Sequence, residues 1–198
     1  MSRRLLALVA VVSAALLLVP VALAVRVHVR VEGKTQTIFG AAEPTLSVKA
    51  NALDALEAAS LAGEFYYHVT VTGFGPYVDQ IGRYPATASS GWVFKVNGVS
   101  PPVGADAVTL KTGDRVLWYW ADFGPSGGPP TLELKRATHN CYRVLAQDDN
   151  GKTSVGAGAV LHVGGRSVHT RKGAACVGRH HGLVKATLPG AVRSNALA

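Results

Sequence analysis

Sulfur and charge are both scarce in this chain. Its 198 residues include two Cys and one Met, and Asp, Glu, Lys and Arg together make up 16%. With no Cys-x-x-Cys and no spaced His partner, the cysteines do not read as a zinc site. Catalytic signatures are missing too. No Gly-x-Ser-x-Gly, His-Glu-x-x-His, Ser-x-x-Lys, Gly-x-Gly-x-x-Gly or phosphate loop occurs. Asp106, Asp114 and Asp122 are separated acids with no pattern of paired carboxylates for glycoside hydrolysis. The expectation is a protein that is not an enzyme and carries no cofactor.

What is present begins with an export signal. Arg3 and Arg4 precede an apolar run over Leu5–Val19, Pro20 breaks it, and Ala22-Leu23-Ala24 fits a small-x-small cleavage site. Cleavage after Ala24 is expected, making residues 1–24 a signal peptide. The alternative is an uncleaved anchor, since the run approaches the ~20 residues that span a bilayer. No Cys follows it, which excludes a lipoprotein. The chain is thus expected to be secreted or extracytoplasmic, or membrane-anchored if the segment stays attached. Cys141 and Cys176 both lie in the exported part, so they read as one disulfide.

Pro125-Ser126-Gly127-Gly128-Pro129-Pro130 reads as a linker, residues 125–130. It divides the mature chain into residues 25–124 and 131–198. The first part holds 8 Lys and Arg against 9 Asp and Glu; the second holds 10 against 3. A basic domain outside the membrane meets anionic envelope polymers or lipid headgroups. The alternative is that its charge simply serves solubility. Nucleic acid is not expected as a partner, and the chain is expected to be monomeric.

Val25-Arg26-Val27-His28-Val29-Arg30-Val31 alternates strictly, as a strand with one buried Val face and one solvated basic face does. Thr35–Phe39 completes a hairpin. Asn51–Gly63 reads as a helix, with Asn51 capping its start, Asp54 in the first turn and Gly63 at the C′ position. Phe65, Tyr67, Val69 and Val71 share one face of a third strand. Further strands follow over Gly91–Val96 and Arg115–Trp120, and the Asn97-Gly98 and Thr112-Gly113-Asp114 turns lie between them. Strand, strand, helix and three more strands predict an α+β, β-grasp-like layer.

The motif Trp-x-Phe-x-x-Asn-Gly at Trp92–Gly98, followed by Leu-x-x-Gly-Asp-x-Val-x-Trp at Leu110–Trp118, resembles the transcobalamin and intrinsic-factor C-terminal domain and its relatives among secreted bacterial proteins of unknown function. The resemblance covers roughly residues 44–124. It implies a ligand-binding β-grasp domain, and so a secreted module that binds a small molecule, corrinoid-like or glycan-like. The helical barrel that completes the cobalamin site in that family is absent here. The long segment Gly73–Gly91 reads as a loop that offers ligand contacts. Candidate ligand-binding residues are Phe74, Tyr77, Tyr84 and Trp120; the alternative is that these aromatics only cover the core.

The second part reads as a small all-β sandwich, loosely like immunoglobulin-like or carboxypeptidase-regulatory-like modules. Strands are expected over Asn140–Ala146, Gly158–Gly165, Gly182–Leu188 and Ala191–Asn195. Such modules act as spacers or adhesion units, so a cell-envelope adhesion or structural role is the alternative function. His139, His162, His169, His180 and His181 read as exposed or turn histidines rather than metal ligands.

Overall fold

The computed structural model describes residues 24–125 and 127–198. The expected signal peptide therefore lies outside the described residues, apart from Ala24. The first unit contains β1 (Val25–Glu32), β2 (Thr37–Phe39), β3 (Thr45–Val48), α1 (Ala52–Gly63), β4 (Tyr67–Thr72), β5 (Gly75–Ile81), β6 (Tyr84–Pro85), β7 (Ser90–Val96) and β8 (Arg115–Asp122). The second contains β9 (Thr131–Thr138), β10 (Cys141–Gln147), β11 (Thr153–Val155), β12 (Val160–Val163), β13 (Arg166–His169), β14 (Ala174–Cys176), β15 (Val184–Thr187) and β16 (Ala196–Leu197).

The expected α+β, β-grasp-like class is overturned. Among the described residues, strands hold 51% and one helix 7%, and the strands are spread over four sheets. The Phe65–Val71 alternation does form a strand, β4, but β4 stays out of the main sheet. It pairs antiparallel with β5, and β5 with β6, as a sheet of their own. The Gly73–Gly91 segment is therefore largely strand, not loop. The local reason is the turn before Gly75, whose φ of 103° glycine adopts without strain. A hairpin closes at small loop entropy, and so competes well against a long-range pairing.

The main sheet has the order β2-β1-β8-β7, with β3 also on β1. β1 and β8 run parallel, placing Val29 beside Val116 and Val31 beside Trp118. On one face Val27, Val29, Val31, Val116, Trp118 and Trp92 share a core with Ala52, Ala55, Leu56 and Ala59 of α1. Leu56 is fully buried, a contribution of about 1.5–3 kcal/mol. Asn51 and Asp54 form a reciprocal capping box. At the other end the left-handed residue is Glu64 (φ 50°), not Gly63. Gly63 is needed for another reason: a Cβ there would lie 2.6 Å from the Phe39 ring.

The opposite face of the main sheet is buried as well. Leu117, Tyr119 and Ala121 pack with Val192 of the second unit. Arg30 is only 3% exposed and Glu32 0%, so the face of β1 expected to be solvated and basic is covered at its C-terminal end, while Arg26 stays exposed and His28 half-buried. In the second unit, one sheet contains β9, β10, β11 and β14, the other β12, β13, β15 and β16. Leu132, Leu134, Tyr142 and Val144 of the first share a core with Leu161, Val163, Val184 and Ala186 of the second. Ala191–Asn195 is not a strand; the last strand is β16. The Cys141–Cys176 disulfide forms between paired positions of β10 and β14.

Candidate functional site

The two turns of the Trp92–Trp118 motif meet. Asn97 and Gly98 both have positive φ, at 53° and 86°. Asn97 Nδ2 donates to Asp114 Oδ1 at 2.8 Å, and the Arg115 amide donates to Asn97 Oδ1 at 2.9 Å. The other Asp114 oxygen accepts from the Lys111 amide at 2.7 Å. The motif thus closes one end of the β7–β8 pair by satisfying turn amides.

The expected ligand residues do not form one pocket. Phe74, at the β4–β5 turn, is 102% exposed. Tyr84 packs with Trp92 and Trp120, at ring-centroid distances of 6.4 and 6.1 Å. The Trp92 and Trp120 rings stand edge to face at 5.6 Å. The Tyr84 hydroxyl is 2.7 Å from Thr35 Oγ1. Trp120 lines a cavity of 340 Å³ together with Lys34, Asp122 and Arg193. Tyr77 stands apart from this cluster, 42% exposed on β5.

Beside Tyr77 lies a polar network that no sequence motif announced. Asp79 Oδ1 is 2.7 Å from His68 Nδ1, and Asp79 Oδ2 accepts from Thr70 Oγ1 at 2.5 Å. The Thr70 hydroxyl, and after it His68, hold the Asp79 carboxyl below its ordinary range despite opposing desolvation. On the same hairpin, burial and then the bond to Glu57 Oε2 push the Tyr67 hydroxyl up to about 12. An unfolded tyrosine ionises near 10. The contribution of Tyr67 to stability is therefore complete below about pH 10 and is lost as the pH rises toward 12. An absorbance titration should show Tyr67 among the last of the six tyrosines to ionise, and Tyr67→Phe should remove that late step.

A second feature legible only in three dimensions is the joint between the units. Glu32, fully buried, accepts from Arg30 (3.2 Å), Lys185 (2.7 Å) and Arg193 (2.9 Å). Lys95, 1% exposed, inserts into the second unit; it donates to the Gln147 and Asp148 carbonyls and sits 3.4 Å from Asp149. Burial lowers its pKa, and Asp149 opposes the shift. Between these groups lies a cavity of 230 Å³ lined by Arg30, Lys95, Arg115, Glu43 and Glu133 among others. Arg115 is held by Glu43 at 2.6 Å and Glu133 at 2.9 Å. Every cation lining this cavity has a carboxylate partner, so the arrangement is a charged weld rather than an open anion site.

The histidines stay apart. His162 bonds Thr187 and Ser167, and His180 Nε2 lies 3.0 Å from the Tyr142 hydroxyl. Among the described residues, no three His, Cys, Asp or Glu side chains gather as a metal site would require.

Residues 50–122 match a family described as Domain of unknown function (DUF4430). No curated protein matches the chain. Among solved structures, a crystal structure of a candidate metal binding protein from Ruminococcus gnavus is similar at 16% identity and a TM-score of 0.39. The similarity covers 50% of this chain and 97% of that one. At that score it carries no argument about this chain's ligand. What the comparisons establish is a DUF4430 match over the stretch from the helix cap to the end of β8.

Proposed function

We propose that this chain is a non-enzymatic extracytoplasmic module that docks through its second unit on an anionic polymer or lipid surface of the cell envelope. One observation carries the reading: the second unit segregates its charge. Two of its three carboxylates, Glu133 and Asp149, bind Arg115, Ser100 and Lys95 of the first unit, and the third, Asp148, accepts from the Asn150 and Lys152 amides of its own turn. No Asp or Glu occurs in residues 150–198. Arg136, Arg143, Lys152, Arg166, Arg171, Lys172 and Arg179 are exposed. None of them takes part in an ion pair among the described residues. A surface with cations and no interspersed acids has a positive potential that attracts polyanions.

The disulfide supports an oxidising compartment. No helix among the described residues is long and apolar enough to cross a membrane. The small-molecule reading through Phe74, Tyr84 and Trp120 is less favoured, because these residues are either fully solvated or packed on one another. The transcobalamin-like relationship of residues 44–124 belongs to the same proposal, supported by the Asn97-Gly98 and Gly113-Asp114 turns.

The test is co-sedimentation with vesicles containing anionic lipid, and retention on immobilised polyphosphate, across a salt series. Each cation near an anionic surface contributes about 1 kcal/mol. The variant with Arg166, Arg171, Lys172 and Arg179 all changed to Gln should bind about a thousandfold more weakly. Binding should fade toward 1 M salt, where the Debye length is about 3 Å. A chain that fails to bind either probe at low salt removes the proposal.

A further inference from the structure

The outer face of the β4–β5 hairpin carries a site that neither the DUF4430 match nor the docking surface accounts for. Thr70 and Tyr77 are cross-strand partners, and Asp79 follows Tyr77 on the same face. Tyr77 is fixed from below: a Cβ added at Gly91 would lie 2.7 Å from its hydroxyl. The bare backbone of Gly91 therefore makes room for the end of the ring, while 42% of the residue remains exposed. Beside it, each Asp79 oxygen has one protein partner, His68 or Thr70. A carboxylate oxygen has a second lone pair, so both oxygens keep capacity for an outside donor. His68 is engaged through Nδ1, and with 53% side-chain exposure its Nε2 remains available to a ligand.

We infer that this face is a saccharide subsite for a neutral pyranose chain. An exposed, fixed aromatic ring offers an apolar surface to the C–H face of a sugar ring. An ionised carboxylate accepts hydrogen bonds from neighbouring sugar hydroxyls, and such charge-assisted bonds are the strong ones. His68 and Thr70 hold that carboxylate in one orientation, so little ordering is left to the binding step. The face is open rather than enclosed, which suits a polymer lying along it more than a small molecule engulfed by it. It lies on the first unit and uses none of the cations of the proposed docking surface.

The test is calorimetric titration of the full exported chain with cellohexaose, chitohexaose and maltohexaose. Saturable binding of at least one of the three probes, persisting in roughly 1 M salt, is expected. The salt condition separates this site from the docking surface, whose binding should be lost there. Tyr77→Ala should weaken binding about tenfold, whereas Tyr77→Phe, which keeps the ring, should stay within about threefold. Asp79→Asn removes the charge while preserving shape and should also cost about tenfold; it provides a second reading if Tyr77→Ala does not fold. Affinity should fall as the pH drops below the ordinary carboxylate range near 4, when Asp79 takes up a proton. The inference is overturned if all three probes bind more weakly than about 10 mM. It is equally overturned if binding is unchanged in both Tyr77→Phe and Asp79→Asn while folded Tyr77→Ala binds as the parent does.

Discussion

Glu32→Gln is expected to lower the unfolding free energy by about 3–5 kcal/mol, the range for breaking a buried ion pair from one side. The geometry sets this apart from a surface pair. Glu32 is fully buried, and three cations converge on it: one from its own strand and two from the second unit. Without the carboxylate, Lys185 and Arg193 are left against a covered sheet face with no acid, and Arg30 retains only Glu43. Urea unfolding followed by tryptophan fluorescence and by circular dichroism reads the result. All three Trp are in the first unit, so fluorescence reports on that side of the joint. Coincident loss by both probes would show that the joint holds the units as one cooperative body. Adding Lys185→Met to Glu32→Gln should recover part of the loss, because it removes one stranded charge. A loss below about 1 kcal/mol in the single variant, typical of exposed pairs, would refute the account.

Removing the disulfide, by changing both Cys141 and Cys176 to Ala, should cost about 3–4 kcal/mol. The bridge closes a separation of 35 residues, and the chain-entropy estimate for a loop of that size falls in that range. The tie matters because β14 is only three residues long and pairs with β10 alone. Few ladder hydrogen bonds hold it otherwise. The residues between the bridged cysteines include the acid-free segment with Arg166, Arg171 and Lys172, so reduction should loosen the proposed docking surface as well as destabilise the fold. Thermal unfolding with and without reductant measures the first effect, and vesicle binding the second. Stability unchanged within about 1 kcal/mol would mean that packing alone holds the strand.

Particular residues show where reading by period succeeded and where it could not. The alternation of Val27, Val29 and Val31 located β1 and its core face, because side-chain period is a local property of a strand. The Asn97-Gly98 and Gly113-Asp114 turns, with the strands around them, were legible for the same reason: their positive-φ positions select residue types. Asn51 and Asp54 marked the helix start through hydrogen bonds spanning three residues. The partner of β4, however, is chosen among strands that look alike one at a time, and here the nearest segment won. Phe74 and Trp120, alike as candidates in the sequence, end at opposite extremes, one fully solvated and one packed against Trp92 and Tyr84. Burial depends on what arrives from elsewhere in the chain.

The sequence by itself determined the strand-rich pattern, the two segments of unlike charge, the pairing of the only two cysteines, and the absence of acid beyond Asp149. These are matters of period, composition and count. Only the tertiary structure decided that Arg30 of β1 is covered, that Glu32 collects cations from residues more than 150 positions away, and that Tyr77, Asp79, His68 and Thr70 share one face. The physical reason is common to all three. Each depends on which segment pairs or packs with which, across the two units for Arg30 and Glu32 and between β4 and β5 for Tyr77, and that choice minimises exposed apolar area and unpaired charge over the whole molecule. No window of neighbouring residues carries that sum.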